Sequence, residues 1–401
     1  MMNTPTATFL LLTASLLQAA SPAVNTAKAS MDPERLARIP VRMKAFVDKG
    51  TIAGAVTLVQ RHGAVASFEA VGYQDLETKK PMRPDSIFWI ASMTKPVTAT
   101  GIMILVDEGK LALSDPVEKY IPEFRNQWVI EKSDEKDAHR DMTRAKRPLT
   151  LRDLLTHTNG MYGMPPETID EALDRNKKPL DQVVLLSSQK PLHFQPGTQW
   201  AYGNLSIATL GRLIELASDQ SYESFLAARI FQPLGMQDTF FFDAPESKQP
   251  RVATSYLLEK GKLKKIELNT KGSKSPAPEG GLKSTAADLA AFYQMVLNGG
   301  TYNGKRILSK AAVDVMTSLH TGDLQVGGST ATGYGLAWSV VRNPLGTLSM
   351  ASIGTFGHGG AFGTYGWIDP AKDLVGVFLV QRPGAGDELR AFQALAAAAI
   401  Q

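Results

Sequence analysis

A serine and a lysine three residues apart can act as a proton-transfer pair on a helix, because that spacing puts both side chains on one face. The sequence holds such a pair at Ser92-Met-Thr-Lys95. A serine hydroxyl is a poor nucleophile until a neighbouring base takes its proton, and a lysine can be that base when burial and nearby cations lower its pKa. A helix amino terminus also favours developing negative charge, by roughly 0.3–1 kcal/mol. The same spacing recurs at Ser133 to Lys136, in a charged stretch, and at Ser187 to Lys190, in a polar turn before Pro191. Ser92 differs in context. The β-rich Phe88-Trp89-Ile90 leads into it, and a mostly apolar helix over 97–108, closed by Gly109, follows. Pro96 is tolerable in a first helical turn, where its missing N–H costs little. Ser92 is therefore expected at or just before a helix amino terminus. The competing reading is that it only caps that helix.

Two further segments add polar groups. Tyr202-Gly203-Asn204 lies between the turn Gln195-Pro-Gly-Thr-Gln-Trp200 and an expected helix. Tyr202 can share or relay a serine proton, and Asn204 can bond a substrate carbonyl or Lys95. A core tyrosine beside a helix cap is the alternative. Gly357-His-Gly-Gly-Ala-Phe-Gly363 is glycine-rich. Glycines let a substrate approach the backbone, and a strand edge there would offer an N–H to an oxyanion. A simple turn between strands is the alternative.

The elements that must position these groups follow from periodicity. Residues 31–50 read as an amphipathic helix ending at Gly50. Residues 53–60 and 65–73 read as strands of a hairpin turning at Arg61-His62-Gly63. Helices are expected over 149–157 (with Thr150 as cap), 206–218, 222–230, 284–297 and 309–319. Strands return at 334–340, 347–352, 363–368 and 374–381, and a last helix spans 387–399. The charged stretch 131–147 reads as a solvated loop, and 271–278 as loop. The order of helix, strands, helical middle, strands and helix implies an antiparallel sheet built from both chain ends, with helices against it and an inserted helical region at roughly 92–320.

Composition removes competing chemistries. The 401 residues are 43% hydrophobic and 20% charged, as in an ordinary globular protein. With zero cysteines, thiol nucleophiles and Cys-ligated metals are excluded. There is no H-E-x-x-H, and the six histidines are scattered, so no metal site is expected. There is no G-x-S-x-G serine elbow either. Gly299 to Lys305 spells G-x-x-x-x-G-K, but Arg306 follows and a helix precedes it, so it reads as a turn. The net charge of +4 is spread along the chain without a basic block, which gives no nucleic-acid partner. The apolar stretch 9–20 is too short to span a membrane. Followed by Ala27-Lys28-Ala29, or earlier by Ser21-Pro-Ala23, it reads as a signal peptide over 1–29, with export to the periplasm or medium.

Taken together, the three chemical segments resemble the serine β-lactamase and penicillin-binding-protein superfamily, nearest its class C-like branch and the family VIII carboxylesterases. The likeness runs from about Met31 to the carboxyl terminus. It includes Leu151-Arg-Asp-Leu-Leu-Thr-His-Thr-Asn-Gly160, Pro196-Gly-Thr-Gln-Trp-Ala-Tyr202, Ile230-Phe-Gln-Pro-Leu-Gly-Met236 and Gly280-Gly-Leu-Lys-Ser-Thr285. The resemblance implies one β-lactamase/transpeptidase-like α/β domain over 30–401 and no cofactor. It implies Ser92 as acylated nucleophile, Lys95 as its base, Tyr202 as second proton-transfer group and Asn204 as substrate-positioning. His358-Gly359-Gly360 would stand where lactamases carry Lys-Thr/Ser-Gly, and the N–H groups of Ser92 and Ala361 would form the oxyanion hole. Lactamases use that lysine to hold a substrate carboxylate. A histidine, mostly neutral near pH 7, and the loss of a hydroxyl at Gly359 weaken recognition of an anionic lactam without harming attack on a neutral ester. The expected substrate is a small-molecule ester. A β-lactam or D-amino-acid peptide is the alternative, and a non-catalytic binding module of the same fold the more remote one.

Overall fold

The computed structural model describes residues 22–133, 140–161, 168–268, 270–346 and 350–401. Its frame is an eight-stranded antiparallel sheet. The strands in chain order are β1 (Gly54–Arg61), β2 (Ala64–Asp75), β3 (Lys80–Pro81), β4 (Thr332–Tyr334), β5 (Ser339–Val341), β6 (Phe356–Gly359), β7 (Tyr365–Asp369) and β8 (Leu374–Leu379). In space they run β4-β5-β6-β7-β8-β1-β2-β3, so β8 from the carboxyl-terminal part lies beside β1. The two ends of the chain thus form one sheet, as the order of elements implied.

Alternation along the central strands explains the layers. Val56 and Leu58 of β1, with Val375, Val377 and Leu379 of β8, face one core; Ala55 of β1 and Leu374 and Phe378 of β8 face another. The first core takes in the helices Thr94–Asp107, Leu205–Ser218 and Ala286–Leu297. The second is closed by the terminal helices Arg38–Asp48, through Ile39, Met43 and Phe46, and Gly386–Ala398, through Phe392 and Ala396. The helix expected over 31–50 breaks at Ala37 into Pro33–Leu36 and Arg38–Asp48.

Several expectations need correction. The 131–147 stretch is not simply a solvated loop. Trp128–Ser133 pairs antiparallel with Arg140–Arg144, residues 134–139 lying outside the described residues. Ladder bonds hold it, and Val129 is buried while Leu192 exchanges backbone bonds with Trp128 and Ile130. The strand expected over 347–352 is not at 350–352, and 347–349 lie outside the described residues. The strand is instead the glycine-rich β6. A Cβ on Gly357 would fall 2.5 Å from the Gly366 carbonyl oxygen, so close approach to β7 requires glycine there despite its poor β-propensity. The helical middle also carries a hairpin, Ser255–Glu259 with Lys262–Ile266, and two unexpected helices, Ile169–Arg175 and Leu180–Ser188. Ser187 therefore ends a helix, with its Oγ bonded to the Val184 carbonyl, rather than sitting in a polar turn.

Residues 1–21, with the apolar stretch, lie outside the described residues. The segment after them is packed: the Asn25 N–H bonds the Val65 carbonyl at 2.7 Å, Ala29 and Met31 are buried, and the Arg61 guanidinium bonds the carbonyls of Ala29 and Ser30. The leader boundary expected at Ala29 falls inside this packed segment.

Gly376 of β8 lies under the Trp367 indole, where a Cβ would come within 2.2 Å of ring carbons. Gly376→Ala should lower stability by about 1–3 kcal/mol through overpacking, seen as a lower urea midpoint at unchanged slope.

Candidate active site

Ser92 sits on a single 3-10 turn, Ala91–Met93, that runs directly into the helix Thr94–Asp107. This matches the expected place at a helix amino terminus. Ala91 has φ +45, in the left-handed region that a residue with a Cβ seldom adopts, so the chain enters this turn under strain. The turn is fixed from outside: the Ile90 N–H bonds the Leu282 carbonyl, and Thr94 Oγ1 donates to the Ala91 carbonyl at 2.6 Å and accepts from the Leu282 N–H.

Lys95 is 0% exposed. Its Nζ lies 3.0 Å from Ser92 Oγ, 3.0 Å from Asn204 Oδ1 and 2.8 Å from the Glu279 carbonyl oxygen. These acceptors match the three N–H bonds of an ammonium. In the neutral amine, two N–H bonds to Asn204 and Glu279 leave the lone pair directed at the serine hydroxyl. The Tyr202 ring lies 4.7 Å from Nζ, a cation–π distance. Burial raises the Tyr202 pKa well above that of an ordinary phenol, and a hydrogen bond with Ser92 only partly offsets it. Tyr202 is accordingly a proton donor near neutral pH. The structure thus gathers Ser92, Lys95, Tyr202 and Asn204 into one hydrogen-bonded group.

The glycine-rich segment closes the other side. His358 and Gly359 end β6, and Gly360 begins the turn into β7, closed by the Gly360 N–H to the Thr364 carbonyl at 2.7 Å. A Cβ on Gly360 would meet the Ile90 carbonyl oxygen at 2.3 Å, so this turn presses on the backbone two residues before Ser92. Ala361 follows in the same turn. His358 is buried, with Nδ1 2.7 Å from the Gly359 carbonyl oxygen and Nε2 3.1 Å from Tyr334 Oη. With Nδ1–H donating and Nε2 accepting the tyrosine proton, the ring is neutral. Burial, aided by the charge of Lys95, pulls its pKa down to about 3. His358 therefore presents no positive charge to a ligand.

Three groups at the site have no role in the sequence motifs. The Glu279 carbonyl holds Lys95, and a backbone acceptor leaves no mark in residue types. Tyr334 fixes the His358 tautomer. His157 lay within the Leu151–Gly160 phrase, which was the signal available for it. It is buried, its carbonyl accepts the Ala201 N–H at 3.0 Å, and its Nδ1 accepts the Gly203 N–H at 3.4 Å. Its ring packs 4.7 Å from the Tyr202 ring. One residue thus clamps the backbone on both sides of Tyr202. Burial, then the charge of Lys95, holds its pKa well below the ordinary value.

A cavity of about 570 Å³ opens beside Tyr202, bounded by Thr198, Gln199, Trp200, Leu324, Gln325 and the glycines 327–328. All of these residues are uncharged. Among the described residues no group of three or more His, Asp or Glu side chains is arranged to hold a metal ion, and no helix is long and apolar enough to cross a membrane.

The family model described as Beta-lactamase matches residues 42–400. Protein Rv1367c of Mycobacterium tuberculosis is 35% identical over 84% of this chain and 88% of its own. Esterase EstB of Burkholderia gladioli is 30% identical over 86% of this chain and 92% of its own. Among solved structures, EstCE1, described as a hydrolase with promiscuous acyltransferase activity, superposes with a TM-score of 0.78 at 24% identity, covering 92% of this chain and 99% of that one.

Two buried neutral histidines make stability fall in acid. Their unfolded pKa is about 6.5 and the folded values are lowered, so between them the unfolded chain binds more protons and stability drops as pH falls below about 6.5. For His358 the loss continues toward about 3, at ~1.4 kcal/mol per pH unit. Melting temperatures measured from pH 7 to 4 should fall, and less steeply in His358→Asn.

Proposed function

The chain belongs to the beta-lactamase family, and on that premise we propose that it is a carboxylesterase working through an acyl-enzyme on Ser92. The observation that carries this reading is the 3.0 Å contact of Lys95 Nζ with Ser92 Oγ, in a site where His358 is neutral. The ester carbonyl carbon is attacked by Ser92 Oγ as neutral Lys95 takes the hydroxyl proton. The tetrahedral oxyanion is held by the N–H groups of Ser92 and Ala361; loss of one such donor typically costs roughly 2.7–4 kcal/mol of transition-state stabilisation. Collapse expels the alcohol oxygen, which takes a proton from Tyr202, reprotonated in turn from Lys95. Water then attacks the acyl carbonyl by the same proton path, releasing the acid and restoring Ser92. Asn204 keeps Lys95 aimed at Ser92, and Gly359 and Gly360 let the substrate lie along β6.

Two further observations favour a neutral ester over an anionic lactam. With His358 neutral, the place where lactamases carry a cation offers no charge to a carboxylate, and the walls of the cavity beside Tyr202 are uncharged. The relative EstB is named an esterase. Purified protein should hydrolyse short-chain p-nitrophenyl esters far faster than nitrocefin or D-Ala-D-Ala peptides. Ser92→Ala should lose at least 10³-fold in kcat while keeping its melting temperature, and a fluorophosphonate should add once, at Ser92, by intact mass. Undiminished Ser92→Ala turnover would exclude the mechanism. Faster nitrocefin turnover would make it a lactamase, and failure to label would favour a binding module.

The same reading includes export through the leader. Because the segment 25–31 is tied to the body by the Asn25–Val65 bond and by buried Ala29 and Met31, cleavage after Ala23 leaves these contacts in place, whereas cleavage after Ala29 strips the protein of Ala29 and the Asn25–Val65 bond. Amino-terminal sequencing of protein secreted by a bacterial host should begin at Val24; an Ser30 start would overturn this.

A further inference from the structure

A second cavity, of about 590 Å³, opens beside Trp89, with Trp89, Ser255, Lys283 and Gln381 in its wall. None of Ser92, Lys95 or Tyr202 lines it. Lys283 pairs with Trp89 across a short two-stranded ladder, Phe88–Trp89 with Lys283–Ser284. That pairing fixes the lysine beside the segment leading to Ser92.

Lys283 is a buried ammonium with no counter-ion among the described residues. It is 8% exposed. Its Nζ donates to the Phe242 carbonyl and lies 5.3 Å from the Trp89 ring centroid. Among the described residues no carboxylate reaches it within ion-pair distance; Asp243 acts on it only through space. Burial brings its pKa down to about 8, as expected where lost hydration is not replaced by a paired charge. The other charged residues around the cavity are Asp243, Lys265, Glu267 and Lys271. Lys265 is paired with Glu77, and Asp243 accepts from Thr270 Oγ1. A desolvated cation on a cavity wall, beside an aromatic face, is the arrangement that recognises a small organic anion with a flat or apolar body.

We propose that this cavity is a second binding site, for a small organic carboxylate, in which Lys283 pairs with the carboxylate and Trp89 packs on the ligand's body. Trp89 also bears on the catalytic end: its ring lies 5.3 Å from that of Phe362, the residue after Ala361, and its Nε1 donates to the Gly280 carbonyl, next to the Glu279 carbonyl that holds Lys95. An occupant would therefore sit one side chain away from the oxyanion turn. The carboxylate could come from a free acid or from the far end of an acidic ester.

Benzoate is the probe, titrated into the full-length protein by calorimetry and by tryptophan fluorescence, with benzamide as its neutral counterpart. Saturable benzoate binding is expected, at least ten-fold weaker in Lys283→Gln and retained in Lys283→Arg, with benzamide at least ten-fold weaker than benzoate. Lys283→Gln should keep its melting temperature and its turnover of p-nitrophenyl butyrate, which separates loss of binding from loss of fold. If KM for p-nitrophenyl hemisuccinate rises in Lys283→Gln while that for the butyrate does not, the carboxylate belongs to the substrate; if neither moves, the site takes a free acid. No saturable binding, equal binding by Lys283→Gln, or equal binding of benzamide overturns the proposal. Because benzoate is not an ester, these outcomes do not depend on the esterase reading.

Discussion

The active end of this molecule is organised by one buried charge. Lys95 is withdrawn from water and tied to three acceptors from separate parts of the chain: Ser92 one helical turn before it, Asn204 at the start of the 205–218 helix, and the Glu279 carbonyl in the irregular stretch that follows the 255–266 hairpin. An ammonium left buried without such partners would cost several kcal/mol, so packing of the 94–107 helix requires all three segments to arrive together. That requirement couples the catalytic geometry to the fold. The helix carries a polar seam through an otherwise apolar core. Thr94 bonds the Ala91 carbonyl and the Leu282 N–H; Thr98 donates to the Pro278 carbonyl and meets the Tyr222 hydroxyl. Residues 278–282 have little regular structure, and this seam supplies the hydrogen bonds that make their burial tolerable.

The same charge governs the titration of its neighbours. Burial alone keeps His157 and His358 neutral, and the field of Lys95 adds to it. Neutral histidines can then serve as fixed acceptors. His358 Nε2 takes the Tyr334 hydroxyl and His157 Nδ1 takes the Gly203 N–H. Aromatic rings pack around this pair, with Tyr334 and Tyr202 within about 5 Å of His157, and His157 bonds the backbone on both sides of Tyr202.

Residue types revealed what side chains carry and concealed what the backbone carries. Ser92 and Lys95 were legible because their spacing fixes a shared helical face, and the Y-x-N at 202–204 because its polar groups stand before an apolar helix. The Glu279 carbonyl was not legible, since any residue could supply it. The β6 strand was misplaced because glycine signals turns locally, whereas here it permits β7 and the Ile90 backbone to approach. The 131–147 stretch reads as loop because exposed two-stranded ladders need little apolar patterning; among the described residues of the 128–144 hairpin, Val129 is buried. The sheet uniting both chain ends was legible from the order of elements, since unsatisfied strand edges at each end needed partners.

Position 358 sets the charge that this arrangement presents beside Lys95. A lysine at 358 would place a second ammonium beside Lys95, and mutual repulsion would favour a neutral amine at one of them. In this chain that pressure is absent, because His358 donates to its own neighbour's carbonyl and accepts from Tyr334. The Lys95 ammonium is held by Ser92, Asn204 and the Glu279 carbonyl. On the proposed mechanism, an anionic ligand entering here would raise the lysine's affinity for its proton and oppose activation of Ser92. A neutral acyl group exerts no such pull, so the neutral residue at 358 and the proposed preference for an uncharged acyl group at Ser92 rest on the same electrostatics.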